Sequence, residues 1–414
     1  MKTITVREHG EIRVARNGVA GAISVAQADR LTDLEKQYRV EVFRWKHSDR
    51  IKATQFVGVA VAGDVVVEVL PKIDSADDAA VRGNLVQMLA KTRKLDIRAG
   101  EMAALGKQRN LLEIIVRLFC ERLFIEVHRG LVHRYEPQQD NLFVLRGKLD
   151  TTRQAKFNAA HPERFFCVYD EFHPDNPFNR ILKAAVSLLR KVSRDGDNQR
   201  RLNELYFVLE GVNEVHPFKL EWHRVHLDRS NQRFHTLFEL AKMFLKNDHQ
   251  DVSQGRQGGF SLMFDMNRLF EEYIGTITQE VFKDKQVRLQ GPQEGMLVSQ
   301  DGKSAFTGKP DISIVAGEKI ECIIDTKWKE LDCGVAQADI YQMLAYAHRY
   351  NCNKVILLYP HTAKLGKPQG KQECYKIQPS EKEPKRELIV ATIELQALED
   401  VGKQLEKILG RNLA

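Results

Sequence analysis

Thr307-Gly-Lys-Pro-Asp311-Ile-Ser-Ile-Val315 and Glu321-Cys-Ile-Ile-Asp325-Thr-Lys327-Trp-Lys329 are two short apolar runs, each carrying an acid at a fixed place. Side chains alternate across a strand, so Asp325 and Lys327, two residues apart, project to one face. Asp311 joins that face if the two runs pair as a hairpin. Both acids sit in strongly apolar surroundings, where a carboxylate without a partner is costly to bury. Together they offer hard oxygen ligands to Mg²⁺, or to Mn²⁺, and the backbone carbonyl of Thr326 can add another. Mg²⁺ keeps several waters, one of which can become a nucleophile, while Lys327 orients that water or balances charge on a pentavalent phosphorus. The set suits phosphodiester hydrolysis, with Asp311, Asp325 and Lys327 as its catalytic candidates.

Flanking segments supply further candidates. A helical pattern over 264–282 carries Phe270-Glu271-Glu272-Tyr273, with an apolar stripe of Leu269, Phe270, Tyr273, Ile274 and Ile277. On a helical wheel Glu271 and Glu272 fall on opposite shoulders of that stripe, so periodicity leaves both open as a metal ligand. A strand is expected near 286–290. A helix over 335–349 sets Gln342 and Tyr346 four apart on one face, where they can contact a phosphate or brace the lysine. Lys354-Val-Ile-Leu-Leu-Tyr359 reads as a buried strand ended by Pro360. A loop with Lys364, Lys367 and Lys371 leads to a strand at 387–394, and an amphipathic helix over 395–409 follows. Helices on a mixed sheet make this an α/β sandwich.

Upstream the patterning changes twice. Residues 1–75 are β-rich, and Phe56-Val-Gly-Val-Ala-Val-Ala followed by Val65-Val-Val-Glu-Val-Leu reads as a hairpin turning at Gly63-Asp64. The N-terminus alternates and carries charges, which favours a strand over a signal peptide. Helical spacing begins after Val81, with a long amphipathic helix from Asn110 to Val127 and others over 177–194, 198–211 and 231–247. A strand-like stretch from Leu142 to Leu149 carries Arg146 and Lys148. Polar, glycine-bearing sequence over 247–259 is the best linker candidate. The chain is thus read as an α+β multidomain protein: a β-rich module (1–100), a mainly helical middle region (101–255) and a C-terminal α/β domain (256–414).

Composition narrows the classes. At 414 residues, 43% hydrophobic and 29% charged, the chain suits several packed cores rather than a disordered or fibrous protein. It has no apolar run of about 18 residues, the length a membrane span needs. Cys120, Cys167, Cys322, Cys333, Cys352 and Cys374 form no CxxC pair, so reduced thiols in a cytoplasmic setting are expected over a disulfide framework or zinc site. His223 and His226 stand three apart without a nearby acid or cysteine to complete a metal set. A net charge of +7 and the Arg146, Lys148, Arg153 and Lys156 cluster are compatible with an anionic partner, though a solvated face is the default reading.

The two acid-bearing runs, the acidic helix before them and the Gln-xxx-Tyr helix after them resemble the PD-(D/E)xK nuclease superfamily. Residues 56–73, Gly130-Leu-Val-His-Arg-Tyr135, Leu145-Arg-Gly-Lys-Leu149 and Met266-Asn-Arg-Leu-Phe-Glu-Glu-Tyr273 make the likeness narrower. Over nearly its whole length the chain resembles the McrC family, nuclease subunits of McrBC-type modification-dependent restriction systems acting in phage defence. The resemblance places Asp311, Asp325 and Lys327 at the catalytic positions and Glu271, rather than Glu272, among the metal ligands with Asp311 and Asp325. It also implies a restriction-endonuclease-like C-terminal domain, and N-terminal and central regions that dock on a hexameric McrB-like AAA+ GTPase and stimulate it. The partner recognises modified cytosine in double-stranded DNA. No GxxxxGK[ST] loop occurs here, so the chain alone is expected to bind no nucleotide. Two rival readings are a non-cleaving adaptor of an AAA+ motor and a stand-alone RecB-like repair nuclease.

Overall fold

The computed structural model describes residues 2–15, 21–74, 77–95, 110–227, 232–245, 260–301, 303–332, 334–377 and 385–410. The linker read at 247–259 and Cys333 lie outside them. The structure is of mixed α+β class, as expected. The chain divides into two compact units where the sequence suggested three segments: one combines Met1–Leu111 with Gln257–Ala414, the other is Leu112–Arg256.

In the first unit, the valine-rich hairpin forms as read. Phe56–Ala62 and Val65–Leu70 pair antiparallel with Ala62 opposite Val65, and Gly63 takes the left-handed conformation that a two-residue turn requires. Both strands are buried along their whole length, because each is covered on both faces and flanked on both edges. Lys2–Arg7 runs parallel to Val65–Leu70, and Ser261–Asp265 closes the other edge antiparallel to Phe56–Ala62. That last strand, just ahead of the acidic helix, was not foreseen. Its pairing depends on Gly58, whose φ is +135° and where a Cβ would lie 2.0 Å from the Leu262 carbonyl oxygen. A second sheet, ordered Ala22–Ile23, Glu11–Val14, Arg50–Ala53 and Phe43–His47, shares a core with the first through Ile12, Leu31, Tyr38, Phe43, Ile51 and Phe56. The β-rich module also contains helices Val25–Thr32 and Asp78–Thr92; the first starts in a capping box from Ser24 and Gln27.

The C-terminal segment of this unit contributes a six-stranded mixed sheet, ordered Gln286–Leu289, Ile312–Ala316, Lys319–Thr326, Lys354–Pro360, Arg386–Ile393 and Gly370–Ile377. Helix Gln337–Arg349 connects the parallel pair Lys319–Thr326 and Lys354–Pro360 and packs Met343, Tyr346 and Ala347 on Ile323, Val355 and Leu357. Ile324, Ile356 and Leu358 alternate with these and are buried on the opposite face. Helix Met266–Val281 packs on Lys319–Thr326, on Asp78–Thr92 and on the final helix, Val401–Leu409. Two strand pairings lacked a strong sequence signal. Gly370–Ile377 was read as loop, yet forms the sheet's polar outer strand, and Glu294–Val298 pairs with Ser304–Gly308 as a separate hairpin. Few apolar residues alternate in either, since each has a largely solvated face.

The second unit is helical as read, with Leu111–His128, Pro177–Val192, Gly196–Val208 and His235–Leu245 as its longer helices. Glu113 accepts hydrogen bonds from Ser193 Oγ (2.7 Å), Arg194 N (2.8 Å) and Asn198 Nδ2 (2.8 Å), fixing the turn between two of them. It also holds a three-stranded sheet in the order Arg134–Leu142, Phe165–His173, Lys148–Leu149. The strand expected from Leu142 to Leu149 is therefore displaced. Residues 143–147 leave the ladder, because Gly147 at φ +68° turns the chain tightly against Val168.

Candidate active site

The two acid-bearing runs meet as the antiparallel pair Ile312–Ala316 and Lys319–Thr326, with Ile312 opposite Ile324. One step further in the same register sets Asp311 opposite Asp325 on one face. Asp311 is held by the neighbouring strand end: Thr326 donates to its Oδ2 from both the backbone N–H (2.8 Å) and Oγ1 (2.9 Å). The threonine hydroxyl is thus part of the site. Nothing in the periodicity signalled that, because ideal strand alternation assigns Thr326 to the face opposite Asp325 and Lys327, whereas at the strand end its hydroxyl reaches Asp311.

Asp325 is only 1% exposed, and Lys327 Nζ lies 2.5 Å from its Oδ2. The ammonium also donates to Gln342 Oε1 (3.1 Å), and Gln342 Nε2 donates to the Tyr346 hydroxyl (2.9 Å). Gln342 and Tyr346 stand one turn apart on Gln337–Arg349, so helical spacing brings Gln342 to the lysine with Tyr346 bracing it from behind. Asp339, one turn before, accepts from Lys329 (2.5 Å) and Tyr359 (3.3 Å). Sequence reading did not single it out.

Glu271, on Met266–Val281, accepts a hydrogen bond from the Gln290 amide, while the Gln290 backbone N–H donates to the Asp311 carbonyl at 2.7 Å. Glu272 turns instead to Arg268, 2.8 Å away at the surface. Glu271, not Glu272, is joined to Asp311 through a shared residue.

These carboxyls perturb one another. Burial pushes Asp325 well above the usual carboxylate range, and the facing Asp311 adds to it against the pull of Lys327. Burial likewise raises Asp311, although the Thr326 hydrogen bonds oppose the rise. Glu271 is raised by burial and then by Asp311. Burial works to lower the Lys327 ammonium, but Asp325, Asp311 and Asp339 outweigh it, so its affinity for a proton rises. Acids that resist ionisation beside a firmly protonated lysine are a site short of positive charge.

Among the described residues, no group of three or more His, Cys, Asp or Glu side chains forms a ready metal cage. Mg²⁺ seldom needs one; it is ordinarily bound through one or two carboxylates while retaining water. The facing, mutually destabilised Asp311 and Asp325 are a donor set of that kind. His223 and His226 belong to the second unit near the short turn Trp222–Arg224. In the basic cluster, Arg146 lies over the Tyr169 ring at 4.1 Å and Arg153 over Phe166 at 5.2 Å. Lys364 pairs with Glu330 at 2.9 Å. Among the described residues no helix is long and apolar enough to cross a membrane.

No curated protein matches the chain. A chain from the assembly of Thermococcus gammatolerans McrB AAA+ hexamers with bound McrC aligns over 100% of both chains, with a TM-score of 0.76 at 24% identity, a likeness of fold. A chain of the Thermococcus gammatolerans McrBC complex aligns with a TM-score of 0.55 at 28% identity, covering 68% of this chain and 88% of that one. The family model described as the McrBC 5-methylcytosine restriction system component matches residues 51–360, well over half the chain and including both acids and the lysine. The chain belongs to the McrBC family, as a protein of its McrC type.

Proposed function

We propose that the chain is a Mg²⁺-dependent DNA endonuclease subunit that works in the cytoplasm with a McrB-like AAA+ GTPase hexamer on double-stranded DNA carrying modified cytosine. The observation that carries this reading is the row Asp325–Lys327–Gln342–Tyr346 facing Asp311 across a two-stranded ladder. Asp311 and Asp325 would hold the ion, with Glu271 at its margin. When bound, Mg²⁺ supplies an activated water and neutralises charge on the phosphate. Thr326 keeps Asp311 from rotating away, and Gln342 keeps Lys327 extended towards the space between strand ends and helix. Lys327, beside Asp325 and held by Gln342, would orient the attacking water or balance charge on the phosphoryl oxygens. The same row favours a cleaving subunit over a non-cleaving adaptor, because an adaptor has no use for a half-buried lysine paired with a buried acid beside a second one.

The test is incubation of the chain with its AAA+ partner, GTP, Mg²⁺ and methylated or unmethylated plasmid. Cleavage confined to methylated plasmid, abolished by Asp311→Ala and by Lys327→Ala with partner binding and GTPase stimulation retained, is the expected result. Undiminished cutting by either variant overturns the site, and cutting without partner or GTP favours the free-standing repair nuclease.

A further inference from the structure

Glu8 lies just past the first strand, more than three hundred residues from the catalytic motif in sequence. It is 2% exposed, and its charge is answered by only a few donors. The Lys72 backbone N–H donates to its Oε2 at 2.9 Å. The Trp328 indole N–H reaches both Oε1 and Oε2 at 3.0 Å each. Trp328 directly follows Lys327. Its ring packs on Phe270 with centroids 5.2 Å apart at 58°, and Phe270 is a fully buried neighbour of Glu271. Beside this packing, the indole N–H gives Trp328 a second task.

We propose that Glu8 is a positioning residue for the candidate nuclease site, acting through Trp328. The indole has two anchors: its N–H on a carboxylate of the N-terminal segment, and its face on the helix that bears Glu271. It thereby sets where the chain leaves strand Lys319–Thr326, and so where the Lys327 backbone lies relative to Asp311 and Glu271. A neutral acceptor would satisfy one indole N–H, and burying a carboxyl in an apolar interior is costly. Burial indeed pushes Glu8 up to about 7. In either protonation state the carboxyl offers an oxygen to the indole N–H, and its ionised form holds that donor about twice as strongly as a neutral acceptor.

This inference rests on the proposed nuclease reading, and its experiment separates the two. Trp328→Phe keeps a ring against Phe270 and removes the N–H; Glu8→Gln keeps one acceptor; Glu8→Ala keeps none. Each is measured in the full chain with its partner for thermal midpoint, kcat and KM on methylated DNA, and Mn²⁺ binding by electron paramagnetic resonance without DNA. Expected for Trp328→Phe is a loss in kcat and in Mn²⁺ affinity on the order of tenfold, the size seen when a supporting hydrogen bond is removed, with KM and thermal midpoint near wild type. Glu8→Gln should fall between wild type and Glu8→Ala in both readouts. Wild-type kcat and Mn²⁺ binding in Trp328→Phe overturn the inference, as do losses that merely follow a lowered midpoint. If the wild type itself does not cut, the nuclease reading fails, and the Mn²⁺ series still decides whether Glu8 positions the acids.

Discussion

Thr326 shows how much one residue can do beyond what its pattern discloses. In the sequence it merely separates an acid from a lysine. In the structure its Oγ1 and N–H both hold Asp311. Thr326→Ala removes one hydrogen bond to a carboxylate, worth about 1.5–3 kcal/mol, and should lower single-turnover cleavage roughly tenfold while Thr326→Ser stays near wild type. Equal rates for the Ala and Ser variants would show the hydroxyl to be idle. Glu8 gives a second expectation at this scale. Its folded value of about 7 exceeds its usual 4.5, so the folded state binds this proton more tightly than the unfolded chain does. Its contribution is therefore favourable at low pH and is lost as pH rises from 4.5 towards 7, by roughly 3 kcal/mol at most. Denaturant unfolding of Glu8→Gln should gain on wild type across that interval. A difference between the two that does not change with pH contradicts the assignment. Asp311, Asp325 and Lys327 were legible because strand alternation alone puts the last two on one face. Glu8 was not, since no local pattern links a residue to one 320 positions away.

At the scale of elements, strong periodicity translated directly into structure. The valine-rich hairpin, Pro177–Val192, Met266–Val281 and the buried strand Lys354–Pro360 all fall where the patterns put them. The polar outer strand Gly370–Ile377 and the hairpin of Glu294–Val298 with Ser304–Gly308 carry too little apolar alternation to be read as strands, since each has a wet face. Ser261–Asp265 was missed for another reason: its apolar residues run straight into a helix, and the helical period masks them. The fit of that strand supplies a prediction. Gly58→Ala would force a Cβ onto the Leu262 carbonyl and strain a left-handed φ, costing roughly 2–4 kcal/mol. Chemical denaturation should show a lowered midpoint with an unchanged slope, and a wild-type midpoint would mean the strand shifts without penalty.

At the scale of the whole molecule, three consecutive segments became two compact units, because Met1–Leu111 and Gln257–Ala414 build one of them jointly. Helix Asp78–Thr92 packs on Met266–Val281, Asn84 Nδ2 donates to the Leu395 carbonyl at 2.8 Å, and Lys91 pairs with Glu280 at 2.6 Å. A fragment of residues 257–414 made alone would expose Met263, Phe270 and Trp328 and should lack a cooperative thermal transition. The 112–256 fragment, with its own helices and sheet, should unfold cooperatively. Circular dichroism of the two fragments checks both, and a sharp transition in 257–414 alone would restore an independent C-terminal domain. Long-range joins of this kind carry no mark in a local hydrophobic pattern, which runs along the chain in order.

The late arrival of Ser261–Asp265 also bears on biosynthesis. Phe56–Ala62, apolar on both faces, leaves the ribosome early, yet the strand that covers its free edge follows roughly 200 residues later, some 10–40 seconds at ordinary elongation rates. For that interval a nascent chain carries an uncapped, adhesive β-ribbon. The yield of folded protein then depends on how often two such ribbons meet before translation reaches Asp265, so slower initiation and crowding-free expression should favour it over faster synthesis.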